Sequence, residues 1–367
     1  MHWYELHNIN TVDSPALLVY TERMRDNILA LKATVNDVQR LRPHVKTSKM
    51  TEAVQLLIEE GIHKFKCATI AEAEMLGIAG ATDVLLAYQP VGPKLSRLLD
   101  IVQQYPDTKF SCLTDNSTAA IAIAACFATA ELVMPVYLDL NVGMNRTGIV
   151  PGEAALALYQ ELEHLPGIKP LGLHAYDGHL HDEDAVIRKE KCDAAFAPVA
   201  ALAQAITDSG SPAPLIIAGG TPTYAFHAAR PGVECSPGTF IFWDWGYRQH
   251  IPEQAFEYAA LIITRVISVI DHERLCLDLG HKSVAAENPQ PRVHFLNVPD
   301  AQPVSQSEEH LVVKVPDTSL YPIGTVFYGV PYHICPTVAL YDRANVVENN
   351  TCIAQWKVVA RDRKIMI

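Results

Sequence analysis

Short β-rich runs alternate with alanine- and leucine-rich stretches through the first two thirds of the chain, and this alternation restricts the fold more than any other feature. The runs are residues 41–46, 64–68, 84–88, 110–113, 135–140, 170–174, 215–218 and 233–236. The stretches between them carry helical spacing and helical punctuation. Thr69-Ile70-Ala71-Glu72 is a capping box, in which a threonine and a glutamate satisfy the first orphan N–H groups, and Gly80 can close the same helix. Asp115 or Ser117 is placed to cap another helix, running on through Ala130. A strand followed by a helix, repeated eight times, marks an α/β chain whose parallel strands close into a (β/α)8 TIM-like barrel, expected over residues 13–248.

The pattern changes after Pro252. Segments 261–270 and 274–279 are strand-like and flank Asp271-His272-Glu273, a tight turn. Segments 311–315, 325–329 and 356–359 continue in that style, punctuated by proline and glycine, with no helix of useful length. A mostly β C-terminal domain is expected over 249–367. Residues 1–12 have no helical pattern and are expected to add a strand to it.

Composition narrows the function classes. Hydrophobic residues make up 49% of the 367, enough for a large core and against disorder. The balance of 29 basic against 41 acidic residues gives a net charge of -12 with no basic stripe, which argues against nucleic-acid binding. No segment approaches the roughly 20 uninterrupted apolar residues of a membrane span. Met1-His2-Trp3-Tyr4-Glu5 lacks the basic and apolar regions of a signal peptide. The 8 cysteines are scattered without a Cys-x-x-Cys and read as small buried residues, not disulfides, so a cytoplasmic protein is expected.

Five constellations carry chemistry. Lys46, in Arg42-Pro43-His44-Val45-Lys46-Thr47-Ser48-Lys49, sits where a strand hands over to a helix, the barrel edge at which catalytic groups collect. A lysine there can form a Schiff base with an aldehyde cofactor, and Lys49 and Arg42 nearby could lower its pKa by like-charge repulsion. Gly219-Gly220-Thr221-Pro222-Thr223 and Gly238-Thr239 leave the last two barrel strands, where backbone N–H groups and hydroxyls can take a phosphate. Arg146 stands in Gly143-Met144-Asn145-Arg146-Thr147-Gly148 at another strand end, and its guanidinium could hold a phenolate oxygen. His174-Ala175-Tyr176-Asp177-Gly178-His179-Leu180-His181 is dense in titratable groups, any histidine of which could act as a general base. On a strand, His333 and Cys335 would share a face and converge on one ion, and imidazole plus thiolate suits Zn2+ best, with Mn2+ or Fe2+ as alternatives. Ser307-Glu308-Glu309-His310 is either outer support for that ion or a solvated turn.

Together these motifs resemble the D-threonine aldolase and D-serine dehydratase family, fold-type III pyridoxal-phosphate enzymes with an alanine-racemase-like barrel followed by a β domain. The resemblance runs from Asp13-Ser14-Pro15-Ala16 to the end of the chain. It implies that Lys46 takes the Schiff-base position, that Arg146 contacts the pyridoxal oxygen, and that Gly219, Gly220, Thr221, Gly238 and Thr239 bind the phosphate. It also implies that Tyr176 borders the cofactor and that His333 and Cys335 are the metal pair, matching the dehydratase branch. The aldolase base follows a tyrosine matching Tyr176, at a spacing that falls close to His181, with His179 the other candidate.

The expected cofactors are therefore pyridoxal 5'-phosphate and a divalent metal, Zn2+ or Mn2+, and the expected substrate is a D-3-hydroxy amino acid. Removal of the hydroxyl proton by the base would give retro-aldol cleavage to glycine and an aldehyde, the reading placed first. Removal of the Cα proton by Lys46 would instead make a dehydratase of D-serine or D-3-hydroxyaspartate, releasing a 2-oxo acid and ammonia. A non-catalytic pyridoxal-phosphate carrier and an amino-acid racemase are the remaining alternatives; a carrier needs neither a β domain nor a metal pair. The resemblance also implies a homodimer.

Overall fold

The first strand of the chain, β1 (Ala16–Tyr20), is buried along its whole length and runs into helix α1 (Thr21–Lys32). The computed structural model describes residues 1–367 in two units: Leu31–Lys46, Thr51–Gly238 and Asp362–Ile367 form one, and Met1–Ala30, Thr47–Met50 and Thr239–Arg361 the other.

The larger unit is the barrel. After α2 (Thr51–Glu59), strands β2 (Lys64–Cys67), β3 (Asp83–Leu86), β4 (Lys109–Thr114), β5 (Met134–Leu140), β6 (Ile168–Ala175), β7 (Leu215–Ala218) and β8 (Val233–Cys235) pair in parallel in chain order. Helices α3 (Ile70–Ile78), α4 (Pro93–Gln104), α5 (Ser117–Thr129), α6 (Glu153–His164), α7 (Ala185–Asp208) and α8 (Tyr224–Ala228) connect them. The strands are buried in their C-terminal halves, as a sheet covered on both faces requires.

Segment 41–46, expected as the first barrel strand, makes no ladder of its own. It closes the sheet by two parallel bridges, Leu41 to Cys235 of β8 and His44 to Lys66 of β2. Arg42 and His44 donate backbone N–H groups to Cys235 and Pro237, both at 2.9 Å, while on the other side Val45 N donates to Lys66 O and Lys66 N to Pro43 O, again at 2.9 Å. Pro43 lacks an N–H and cannot extend the pairing. Thr69 caps α3, accepting from Glu72 N at 3.1 Å, and the Glu72 carboxylate accepts from Ala68 N at 2.6 Å, one residue before the expected partner. The cap of α5 is Asn116, not Asp115 or Ser117: its Oδ1 accepts from Ala119 N at 2.9 Å.

The second unit is mostly antiparallel. It holds α9 (Trp245–His250), β9 (Ala260–Val269), β10 (Arg274–Leu277), β11 (Val293–Phe295), β12 (Gln302–Gln306), β13 (Leu311–Lys314), β14 (Val326–Pro331), α10 (Ile334–Val338), β15 (Arg343–Glu348) and β16 (Thr351–Lys357). The sheet order is β12-β13-β10-β9-β1-β15-β16, with β14 on β9 and β11 on β14. Only β1 and β15 pair in parallel within it. Asp271 makes the β9–β10 turn, accepting from Glu273 N and Arg274 N. The first dozen residues add no strand; Tyr4, Leu6 and Val12 instead pack against Leu18, Leu261 and Tyr328. Ser307–His310 is the exposed turn between β12 and β13. No helix is long and apolar enough to cross a membrane.

Candidate active site

A cavity of about 590 Å³ lies in the barrel unit, lined by side chains from the C-terminal ends of the parallel strands, the end at which barrel enzymes build their sites. Lys46 enters it from the bridging segment, Lys66 from β2, Asp139 from β5 and His174 from β6. Arg146 comes from the loop after β5, and Tyr176 stands immediately after β6. Three cationic groups surround the Tyr176 ring: the centroid lies 5.8 Å from Lys46 Nζ, 5.5 Å from Lys66 Nζ and 5.0 Å from Arg146 Cζ.

Backbone constraints hold these groups in place. Asn141 Oδ1 accepts from Gly143 N and Asn145 N, both at 3.1 Å, and Asp115 Oδ2 accepts from Gly148 N at 3.0 Å, so the Arg146 loop is pinned at both ends. Gly220 allows close approach to Tyr176, because a Cβ there would stand 2.9 Å from the ring. Gly219 has φ +81°, a left-handed conformation that glycine adopts without strain.

Asp139 and His174 are opposite each other in the β5–β6 register. His174 Nδ1 donates to Asp139 Oδ1 at 2.7 Å, and the Thr147 hydroxyl donates to Asp139 Oδ2 at 2.8 Å. Burial works to raise the Asp139 pKa, but hydrogen bonds from His174 and Thr147, with the charges of His174 and Lys66, together outweigh it and hold the carboxyl below the ordinary range. Burial and then the charge of Lys66 push the His174 pKa down, keeping the imidazole neutral near pH 7.

The loops after β7 and β8 are tied together, since Gly238 N donates to Thr221 Oγ1 at 3.2 Å. Ser236 Oγ, buried two residues earlier, has no hydrogen-bond partner within the protein. Behind the Gly219–Gly220 turn, Asp177, Cys192 and His227 bring their ligand-type atoms within 4.8 Å of one another. These atoms are already engaged in a hydrogen-bonded network. His227 Nε2 donates to Asp177 Oδ2 at 2.9 Å, Thr223 Oγ1 donates to Asp177 Oδ1 at 2.7 Å, and Arg230 donates to His227 Nδ1 at 2.7 Å.

His179 and His181 do not line the cavity. His181 is exposed. His179 packs on the Arg146 loop, where a Cβ on Gly143 would lie 2.7 Å from its Nε2, and its Nδ1 is buried without a partner.

His333 and Cys335 are not on a strand. β14 ends at Pro331, His333 is the N-cap residue of α10, and Cys335 lies in its first turn. The two side chains nevertheless meet: burial opposes the imidazolium, but hydrogen bonding and charge interaction with Cys335, aided by Asp244 and Glu287, raise the His333 pKa to about 9. Glu287 Oε1 lies 2.7 Å from His333 Nδ1, a carboxylate–histidine contact that orients the ring and leaves Nε2 for an ion. Cys335 Sγ is 3.0 Å from Thr47 Oγ1 and 3.5 Å from Thr239 Oγ1. Asp244 fixes the turn, its Oδ1 accepting from Tyr247 N at 2.9 Å and its Oδ2 from Ile334 N at 3.1 Å.

Lys66, Asp139, Asp244 and Glu287 escaped the sequence reading. Lys66 could have been flagged as a charge between the apolar Phe65 and Cys67, and Asp244 as a helix N-cap; Glu287 carries no local signal.

Comparison with known proteins agrees with this architecture. The family described as "Alanine racemase, N-terminal domain" matches residues 19–244, and the "Putative serine dehydratase domain" matches 259–347. A D-threonine aldolase from Arthrobacter sp. is 30% identical over 358 residues, covering 95% of this chain and 93% of that protein. A D-threo-3-hydroxyaspartate dehydratase from Delftia sp. (strain HT23) is 26% identical, covering 95% and 97%. The crystal structure of D-threonine aldolase from Filomicrobium marinum superposes with a TM-score of 0.89 at 26% identity, covering 95% of each chain. The chain thus belongs to the family in which an alanine racemase N-terminal domain is followed by a D-serine dehydratase-like domain, the family of the D-threonine aldolases and D-3-hydroxyaspartate dehydratases.

Proposed function

We propose that the protein is a pyridoxal-phosphate- and divalent-metal-dependent lyase that cleaves D-3-hydroxy amino acids to glycine and an aldehyde, and that it works as a cytoplasmic homodimer. The observation that carries this reading is the convergence of Lys46, Arg146 and Tyr176 on one cavity, in a chain 30% identical to a D-threonine aldolase across 95% of its length.

The residues present fit the cofactor. A buried, partnerless Ser236 hydroxyl beside the tied β7 and β8 loops suits a phosphate, and a side chain at Gly220 would crowd the Tyr176 ring. Lys46 would hold the cofactor through its amine, Arg146 its phenolic oxygen, Tyr176 its ring, and Gly219, Gly220, Thr221, Gly238 and Thr239 its phosphate. His333 and Cys335, an imidazole and a thiol in contact, fit Zn2+ or Mn2+ as the ligand pair. When bound, pyridoxal phosphate supplies an electron sink for charge developing at Cα, and the divalent ion supplies Lewis acidity toward the 3-hydroxyl.

The chain's own residues do the rest. The pinned loop presents the Arg146 guanidinium to the cavity without rearrangement, which favours pre-organised recognition of an oxygen anion. Neutral His174 holds its Nδ1 proton on Asp139 and contributes no charge of its own. His181 or His179 would take the proton of the 3-hydroxyl in the cleavage reaction.

A second reading, dehydration to a 2-oxo acid and ammonia, is favoured by one observation: Lys46 lines the cavity and the two base candidates do not. Incubation with D-threonine and with D-serine, under chelation and metal add-back, separates the two. Glycine and acetaldehyde, lost with chelator and restored by Zn2+ or Mn2+, are the expected products. A 2-oxo acid without glycine replaces the first reading with the second, and turnover indifferent to chelator removes the metal from both.

A further inference from the structure

Lys66 has no task in the reaction proposed above, yet it is among the largest fully buried side chains of the protein and lines the same cavity as Lys46. Its residue is bridged to His44 of the seam segment, two positions before Lys46. Its Nζ lies 3.4 Å from His174 Nε2, and His174 Nδ1 lies 2.7 Å from Asp139 Oδ1. The three side chains form a continuous ammonium–imidazole–carboxylate chain. When Lys66 is charged, it donates to Nε2 and the neutral ring donates its Nδ1 proton to Asp139. In that state the chain holds one cation against one anion inside the barrel wall.

Lys46 shares the Tyr176 ring with Lys66. Two amines in one low-dielectric cavity disfavour simultaneous protonation. A cation at Lys66, braced by an imidazole and a carboxylate, therefore disfavours a second cation at Lys46. A lysine nucleophile must be neutral to attack a carbonyl carbon.

We propose that Lys66 is a positioning residue, setting the protonation of the Lys46 nitrogen through the Lys66–His174–Asp139 chain. The groups facing Lys66 are consistent with this. Lys46 and Arg42 repel its charge, Asp139 and Asp177 attract it, and His174, His44 and the Tyr176 ring complete its surroundings. Burial, and then the charge of Lys46, bring its pKa down to about 7, so the chain exchanges its proton in the range where an enzyme works.

The inference rests on Lys46 carrying pyridoxal phosphate, and the experiment separates the two claims. Wild-type, Lys46→Ala, Lys66→Met, Lys66→Gln and Asp139→Asn proteins are loaded with pyridoxal phosphate and their visible absorbance is titrated with pH. A wild-type band that persists in Lys46→Ala, or no band at all, overturns the cofactor reading itself. With a Lys46-dependent band, loss of the Lys66 cation should raise the titration midpoint by about one unit, roughly a tenfold change in the ratio of the two forms at fixed pH. Loss of the Asp139 anion, which weakens the hold on the Lys66 proton, should raise it too, by less. Displacements in the same direction support the chain; any other pattern, including no inflection in any protein, overturns it. If neither Lys66 variant folds, Asp139→Asn decides alone, an upward shift supporting the proposal and an unmoved or lowered midpoint overturning it.

Discussion

Arg42 shows how much of the barrel seam depends on single charges. Its guanidinium is fully buried and bonds Glu234 and Asp83, both at 2.6 Å, while Lys64 reaches Glu234 from the rim at 2.5 Å. Removing one partner of a buried pair leaves the other desolvated and uncompensated. Arg42→Ala should therefore cost about 3–5 kcal/mol, read as a lowered denaturant midpoint, the upper value tempered because Asp83 is partly exposed. The same residue shows where local reading stops. Four residues before Lys46 in sequence, Arg42 invites the idea that it perturbs that amine, but its charge is engaged by two carboxylates. The cations that share the Tyr176 ring with Lys46 are Arg146 and Lys66, and Lys66 reaches the site through strand pairing. Contacts made by closing a sheet leave no mark on neighbouring residues of the sequence.

Asp244 has a comparable role at the level of elements, since one carboxylate holds the start of α9 and the first turn of α10. Asp244→Ala frees the N–H groups of Tyr247 and Ile334 together. Loss of such a cap costs about 1–2 kcal/mol, and the turn bearing His333 and Cys335 should loosen. The expected outcome is a lower melting temperature and a reduced Zn2+ content by metal analysis, with the cofactor's absorbance retained. The barrel elements were largely legible, because burial on both faces makes most parallel strands rich in apolar residues and because signals such as the Thr69 box are local. The segment before Lys46 was read as a strand from its apolar content, and Pro43 reduced it to bridges. His333 and Cys335 were read together but on the wrong backbone. A residue spacing of two serves a strand face, and it also serves an N-cap and the first turn of a helix, so spacing alone does not distinguish them.

For the whole molecule, two buried carboxylates make the fold sensitive to acid. Burial alone would raise the pKa values of Asp139 and Asp177, but hydrogen bonds from His174 and Thr147, and from His227 and Thr223, hold both below the ordinary carboxylate range. A depressed folded-state pKa contributes stability that is present above the unfolded value, about 3.9 for aspartate, and is lost as pH falls through the folded value. Urea midpoints should therefore decline below about pH 4, and Asp177→Asn should flatten that decline. The seam of the barrel has a consequence of another kind. Most of the wall is woven as continuous ladders, but the strip carrying Lys46 is fastened by a few backbone stitches on either side. The lysine proposed to hold the cofactor is thus mounted on a panel tacked to its neighbours, not knitted into them.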